Sequence, residues 1–380
     1  MDTYLTIKKL ISIYSPSGKE DLILEWINNY LSKLNIKIFL HEWGLAAWIK
    51  GDESTKAMIF NAHVDTVAIG NEDLWEYPAL NGLLKKGKIY GVGASDMKAA
   101  IASILLMSKD LTISKPKCDV WLTFVKNEEV DGSGTKGFVK WFEKMYLKKY
   151  KKIAALIGEP TDLSKIEIGH KGNIFLKVTT FGKSGHGSKP FDLNEHSVFK
   201  MLKVSEAINK WSKKVGKEYK DGILGIPTVG IMTAIEAGKL NVPNKFPDSC
   251  IATFDIRTTP QSHKKITKEF VKIVKKIDPK TKIEFVYDPV SYGYTNMNND
   301  FVKIVKKVTN VDLGVSKGSS DMCFFTEVGI PTVIFGPGDP ACIHSPNECC
   351  KLENIDKCKE IYIKIIDQFS LKNNQNKWKE

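Results

Sequence analysis

Arginine is nearly absent. Of the 56 Lys plus Arg residues, 55 are lysine, and the single arginine is Arg257 in "ATFDIRTTP". The formal net charge is +12, but the lysines are spread along the chain and no basic tract carries interleaved aromatics. That distribution argues for a solvated lysine-rich surface and against nucleic-acid binding. Cysteine is present in an odd number, seven, with no CxxC pair. This argues against a disulfide framework and a thiolate zinc site, and it fits a reducing cytoplasm. No run of about 18 apolar residues exists to span a membrane. The opening "MDTYLTIKKL" lacks the basic and apolar segments of a signal peptide. No internal repeat is found.

The remaining composition, 42% hydrophobic and 26% charged over 380 residues, is that of a globular protein too long for one ordinary core, so two domains are expected. Helical periodicity over about 4–34 is interrupted by "SPSG". "KAMIFNAHVDTV", "DVWLTFVKNEEV" and "KKIAALIGEP" read as apolar strands that end on acids or histidines, and "DMKAAIASILLMSKDL" reads as a helix between them. This alternation predicts an α/β sheet with its site at the strand C-termini. Residues 172–290 read differently, with alternating strands in "GNIFLKVTTFGKSGHG" and "DSCIATFDIRTTP" and amphipathic helices in "EHSVFKMLKVSEAINKW" and "HKKITKEFVKIVKKI". The reading is therefore one α/β domain, 1–171 and 291–380, interrupted by an α+β domain, 172–290. The tail "LKNNQNKWKE" is expected to fray.

Histidines and carboxylates recur at the strand ends: His63 and Asp65 in "NAHVDTV", Asp96 in "GASDMK", Glu128 and Glu129 in "NEEVDGSG", Glu159 in "GEPTD" and His344 in "CIHSPNE". Two imidazoles and several carboxylates without a thiolate suit a pair of divalent ions such as zinc. Such a pair needs one bridging carboxylate and a separate acid to handle the proton of the bridging water. An HxD pair alone is commonly a buried hydrogen-bonded pair, and "EE" alone is a polar loop. Their joint recurrence in this order is the signal.

With "HVDTV", "GKIYGVGASDMKAAIAS", "NEEVDGSGTKG", "GEPT", "GHKG", "GKSGHGSKP", "FDIR", "GSSD" and "GIPTVIFGPG…HSPNE", nearly the whole chain resembles the M20 metallopeptidases and deacylases. Within them it is most similar to the acetylornithine deacetylase and succinyl-diaminopimelate desuccinylase group. The resemblance implies a zinc-peptidase-like catalytic domain, with a mixed central sheet flanked by helices, plus an inserted lid and dimerisation domain. It implies that His63 and Glu159 bind one metal, that Glu129 and His344 bind the other, and that Asp96 bridges both, with a cis peptide to Met97. The ions would be Zn2+, with Co2+ or Mn2+ as alternatives. Glu128 would be the general base and Asp65 the residue orienting the His63 ring.

His186 would enter a partner's site in a homodimer and steady the oxyanion. Arg257 would grip the substrate carboxylate, a task for a bidentate guanidinium that lysine performs poorly. Asn244, with Asn241 as its rival, would contact substrate, and Gly318 and Ser319 are candidate loop contacts. The implied activity is cleavage of the amide bond of an N-acyl amino acid by metal-activated water, in the cytoplasm and without nucleic acid or membrane. The alternatives are an M20 di-/aminopeptidase or carboxypeptidase, or a LysW-carrier lysine or ornithine hydrolase. The chain departs from the usual motif at Val92 and Ala99, where Arg and Gly are common. His170 reads as a hinge or packing residue, and His41, His196 and His263 as surface groups. Cys349 and Cys350 read as incidental, and Gly336 and Gly338 as turn glycines.

Overall fold

The computed structural model describes residues 2–188, 192–316 and 318–371; beyond Leu371, the expected frayed tail lies outside the described residues. The chain divides into two units. The first comprises the residues up to Gly169, Gly293–Val315 and those from Ser320 onward. The second comprises His170–Tyr292 and Ser316–Ser319.

In the first unit the strands expected from the apolar runs form at Glu53–His63, Cys118–Val125 and Lys152–Ile157. Cys118–Val125 is buried at every position, which is why it reads as a continuous apolar run rather than an alternating one. The sheet runs in the order Lys37–His41, Gly44–Ile49, Cys118–Val125, Glu53–His63, Lys152–Ile157, Thr332–Ile334, Lys165–His170, Gly293–Tyr294, with Asp312–Ser316 paired to Lys165–His170. Cys118–Val125, Glu53–His63, Lys152–Ile157 and Thr332–Ile334 are parallel, and antiparallel pairs flank these four, so the sheet is mixed.

The register positions the site. His63 lies opposite Val125, Asn61 opposite Ile157, and Ile157 opposite Ile334. The C-terminal ends of four neighbouring strands are therefore level, and whatever follows each strand emerges at one edge. The helix Ala99–Ile113, apolar on every side, is buried along most of its length, as such a helix must be. Its Ser103 hydroxyl donates to the Ile355 carbonyl of the helix Leu352–Ser370 at 2.9 Å. Trp121, Phe138, Phe142 and Phe325 fill the opposite side of the sheet, and each such buried side chain contributes roughly 1.5–3 kcal/mol.

The second unit has an antiparallel sheet, ordered Thr228–Ala237, Ser249–Thr258, Gly172–Phe181, Lys282–Phe285. The helices Ser197–Glu218 and His263–Ile277 supply Met201, Val204, Ile208, Ile266, Phe270 and Val274 to its core. Along Ser249–Thr258, Cys250, Ala252, Phe254 and Ile256 are buried. The two-residue period then sends Asp255 and Arg257 together to the other face. His196, expected at the surface, is instead buried at 8% exposure. It starts the long helix by accepting the Val198 N–H on Nδ1 at 3.2 Å, a capping role that draws it inward.

Candidate metal centre

The level strand ends deliver His63 at the end of its own strand, Glu128 and Glu129 just beyond Val125, and Glu159 just beyond Ile157. Asp96 comes from a short helical turn, Ala94–Lys98, that breaks helical geometry at Asp96 and Met97 and contains the cis peptide between them. His344 has a left-handed backbone, φ 55°.

Two donor groups result, His63–Asp96–Glu159 and Asp96–Glu129–His344, and in each the ligating atoms lie within 4.8 Å of one another. Asp96 belongs to both, and its oxygens are divided between them. Oδ1 is 3.0 Å from His63 Nε2, and Oδ2 is 3.2 Å from His344 Nε2. His344 Nε2 is also 3.0 Å from Glu129 Oε1, and His63 Nε2 is 3.6 Å from Glu159 Oε1. The structure thus brings all five candidate ligands together, with Glu128 beside Glu129.

Charge balance tests whether divalent ions fit. Asp65, Asp96, Glu128, Glu129 and Glu159 surround two imidazoles, and no ion pair to lysine or arginine reaches them among the described residues. Two carboxylates about 4 Å apart repel by roughly 4 kcal/mol at an effective dielectric near 20. The strain appears in the protonation equilibria of the metal-free centre. Burial, then neighbouring acids, push Glu128 and Glu159 well above the usual carboxylate range. Hydrogen bonds that the His344 ring donates to Asp96 and Glu129 push it up to about 10. His63 is raised well above its ordinary value although burial opposes it, because Asp65, Asp96 and Glu159 favour its charged form. Hard and borderline donors, an excess of negative charge and a shared carboxylate suit two divalent ions.

The layer behind the ligands is equally ordered. His63 Nδ1 has the Asp65 backbone oxygen at 2.8 Å, whereas the Asp65 carboxylate lies at 3.5 Å. The carbonyl is therefore the closer partner of the ring. The Asp65 carboxylate accepts the backbone N–H groups of Glu128 and Glu129, each at 3.1 Å, and the Ser17 hydroxyl at 2.8 Å. Asp321, in "GSSD", accepts from Thr135 at 2.5 Å and is pushed up to about 7, chiefly by burial.

Gly336 and Gly338, read as turn glycines, do not have positive φ. A Cβ at Gly336 would land on the Gly158 and Glu159 carbonyls, and one at Gly338 on the Ser95 carbonyl. These glycines permit close approach of backbone to the segments that carry Glu159 and Asp96.

The other candidates lie in the second unit. His186 is exposed on the short strand Gly185–His186, with Nδ1 2.8 Å from Ser188 Oγ and Nε2 3.3 Å from Asn244 Nδ2. Asn244, rather than Asn241, is thus the asparagine beside it. Arg257 grips the carboxylate two residues away: Nε is 2.9 Å from Asp255 Oδ1, and Nη2 donates to Oδ2 at 3.1 Å. Its guanidinium carbon is 5.6 Å from the Phe175 ring centroid. Gly318 is exposed and Ser319 partly so, in the segment Ser316–Ser319. Cys349 and Cys350 are buried and contribute no ligand to either donor group.

A mixed sheet gathers histidines and carboxylates in two donor groups at its strand ends, and with the family match this makes the protein a metal-dependent amidohydrolase. Residues 59–368 match the peptidase family M20/M25/M40, and the chain belongs to that family. It is 27% identical over 383 residues to a succinyl-diaminopimelate desuccinylase of Wolbachia pipientis wMel, covering 95% of this chain and 92% of the relative. It is 26% identical over 381 residues to an acetylornithine deacetylase of Buchnera aphidicola subsp. Acyrthosiphon pisum (strain Tuc7), covering 95% and 96%. In fold it is similar to an M20 family metallo-carboxypeptidase from Sulfolobus solfataricus, with a TM-score of 0.78 at 20% identity, covering 97% of this chain and 100% of that one. Among the described residues no helix is long and apolar enough to cross a membrane.

Proposed function

We propose that the protein hydrolyses the amide bond of an N-acyl amino acid of the N-succinyl-diaminopimelate or N-acetylornithine type, using two zinc ions. The observation that carries the reading is the division of the Asp96 carboxylate between two donor groups, with Glu128 adjoining one of them. His63 and Glu159 would hold one ion, Glu129 and His344 the other, and Asp96 both. When bound, the ions supply Lewis acidity toward the acyl carbonyl and make water acidic enough to attack near neutral pH.

Glu128 takes the proton of the attacking water and passes it to the departing amine. In the metal-free centre burial and neighbouring acids hold its carboxyl well above the usual range, and two bound cations would lower it again and favour the carboxylate a base needs. Asp65 fixes the backbone on which Glu128 and Glu129 ride. The His170–Tyr292 unit would serve as the lid and dimerisation domain. From it, His186 of a second copy would donate to the oxyanion, and Asn244 and Arg257 would contact the substrate, with Gly318 and Ser319 as further loop contacts. The cytoplasm is the compartment this reading favours.

Names of relatives that span nearly the whole chain support the deacylase branch, and the family description supports the peptidase branch. Amine release by zinc-loaded protein decides between them. The panel holds N-succinyl-diaminopimelate, N-acetylornithine, other N-acyl amino acids and dipeptides, with Glu128→Ala as the control. Turnover of one N-acyl compound, lost in the control, is expected. Turnover of dipeptides alone would move the protein to the peptidase branch, and silence across the panel would remove the deacylase reading.

A further inference from the structure

Glu348 closes the "HSPNE" motif, and nothing in the catalytic scheme uses it. Its side chain is buried, with the residue 2% exposed, yet no ion pair to it occurs among the described residues. Its two oxygens are held by backbone. Oε2 accepts the N–H of Gly93, and Oε1 accepts the N–H groups of Ser95 and Asp96, all three at 2.8 Å. Gly93 has a left-handed backbone, φ 74°, at the start of the turn Ala94–Lys98. A left-handed residue ahead of a helical turn makes successive N–H groups converge into an anion-binding cradle. Here the chain itself supplies the carboxyl that fills it.

The cradle does not stand alone. The Gly91 N–H donates to the Glu348 carbonyl at 3.0 Å. The Ser95 hydroxyl donates to the Cys349 carbonyl at 2.7 Å and accepts the Asp339 N–H at 2.8 Å. The segment that carries Asp96 is thus stapled to the segment that carries His344, four residues before Glu348. Asp96 and His344 are the pair whose side chains meet at 3.2 Å.

We propose that Glu348 is the positioning residue of the metal centre: by gripping the N–H groups of Gly93, Ser95 and Asp96, it sets where the shared Asp96 carboxylate stands relative to both donor groups. It would touch neither ion nor substrate. Because Asp96 serves both groups, loosening Glu348 weakens both ions together, whereas loss of His344 weakens one. A glutamine at position 348 keeps the size but turns one acceptor into a donor, which then faces a backbone N–H. An aspartate keeps the carboxyl but draws both oxygens back by one methylene.

The inference rests on the proposed two-ion reading of the site. The test is a Zn2+ titration of the metal-stripped full chain against a competing chelator, for the wild type, Glu348→Gln, Glu348→Asp and His344→Ala, with circular dichroism and melting of each metal-free protein. Wild type taking up two ions is expected; fewer than two would overturn the reading of the site, and this inference with it. Given two ions in the wild type, Glu348→Gln is expected to bind both on the order of 10–100-fold more weakly. His344→Ala is expected to weaken one and leave the other near its wild-type affinity. Wild-type affinity for both ions in folded Glu348→Gln would overturn the inference, even if the metal-free protein melts lower, because the residue would then only brace the fold. If Glu348→Gln does not fold, Glu348→Asp answers the same question by the same criterion.

Discussion

The Asp65 carboxylate accepts the backbone N–H of Glu129 at 3.1 Å, so an acid two residues beyond one proposed ligand steers the backbone of another. Its other oxygen holds Glu128 in the same way. Replacing Asp65 by Asn turns one acceptor into a donor opposite a backbone N–H. The expected outcome is a fall in kcat of roughly 10–100-fold with KM changed little, read from steady-state kinetics with metal content measured in parallel. Ser17→Ala removes one hydrogen bond to the same carboxylate and should cost less than about tenfold.

Metal loading should release protons. In the metal-free centre His344 is pushed up to about 10, and His63 lies well above its ordinary value. The His344 ring therefore carries a proton near neutral pH that a ligating imidazole must give up, and the rise at His63 works in the same direction. Apparent affinity should rise with pH toward about 10, and titration calorimetry in buffers of differing ionisation heat should show proton release at pH 7. His344→Ala should reduce that release. For the metal-free fold the sign is opposite. A pKa raised above the unfolded value adds stability that is full below about 6.5 and fades as pH climbs through about 10, so the metal-free melting temperature should fall over that range, less steeply in His344→Ala.

Gly336→Ala should disturb the centre from behind. The added Cβ meets the Gly158 and Glu159 carbonyls, which are backbone and cannot swing aside. Urea unfolding of the metal-free protein should show a loss of about 1–3 kcal/mol or more, and zinc titration should show weaker binding, because the Glu159 backbone must shift.

Arg257→Lys tests the lone guanidinium. Lysine can still pair with Asp255 but cannot present a planar fork. The melting temperature should stay close to that of the wild type while KM for the preferred N-acyl amino acid rises on the order of tenfold or more. An unchanged KM would leave Arg257 as the partner of Asp255 and Phe175 alone.

The strands that carry ligands were legible because each is an apolar run that stops abruptly at an acid or histidine, as at His63 and Glu159. The helix His263–Ile277 was legible because its apolar residues recur at helical spacing. The hairpin Lys37–Ile49 was not read: Gly44–Ile49 is buried at nearly every position, so no alternation marks it. Thr228–Ala237 escaped for a related reason, since register shifts after Thr228 and Met232 break its period. At the site, residue type revealed the ligands. Glu348, Asp321 and Ser17 lay inside quoted motifs without a role, because their partners are backbone N–H groups, the Thr135 hydroxyl and the Asp65 carboxylate, and which distant groups the chain brings together is invisible in a string of letters. Gly336 and Gly338 were misread for the same reason, since close approach leaves no local signature.

The chain leaves the central sheet after Lys165–His170 and rejoins it at Gly293–Tyr294, and those two strands are neighbours. An excursion whose ends already lie side by side asks nothing of the sheet it departs from. Its length and sequence can be rewritten without moving either anchor, because closure entropy grows only slowly with loop length. The five residues of the two donor groups, His63, Asp96, Glu129, Glu159 and His344, stand outside the excursion. Selection can therefore rewrite that stretch of the gene while the donor set stays as it is.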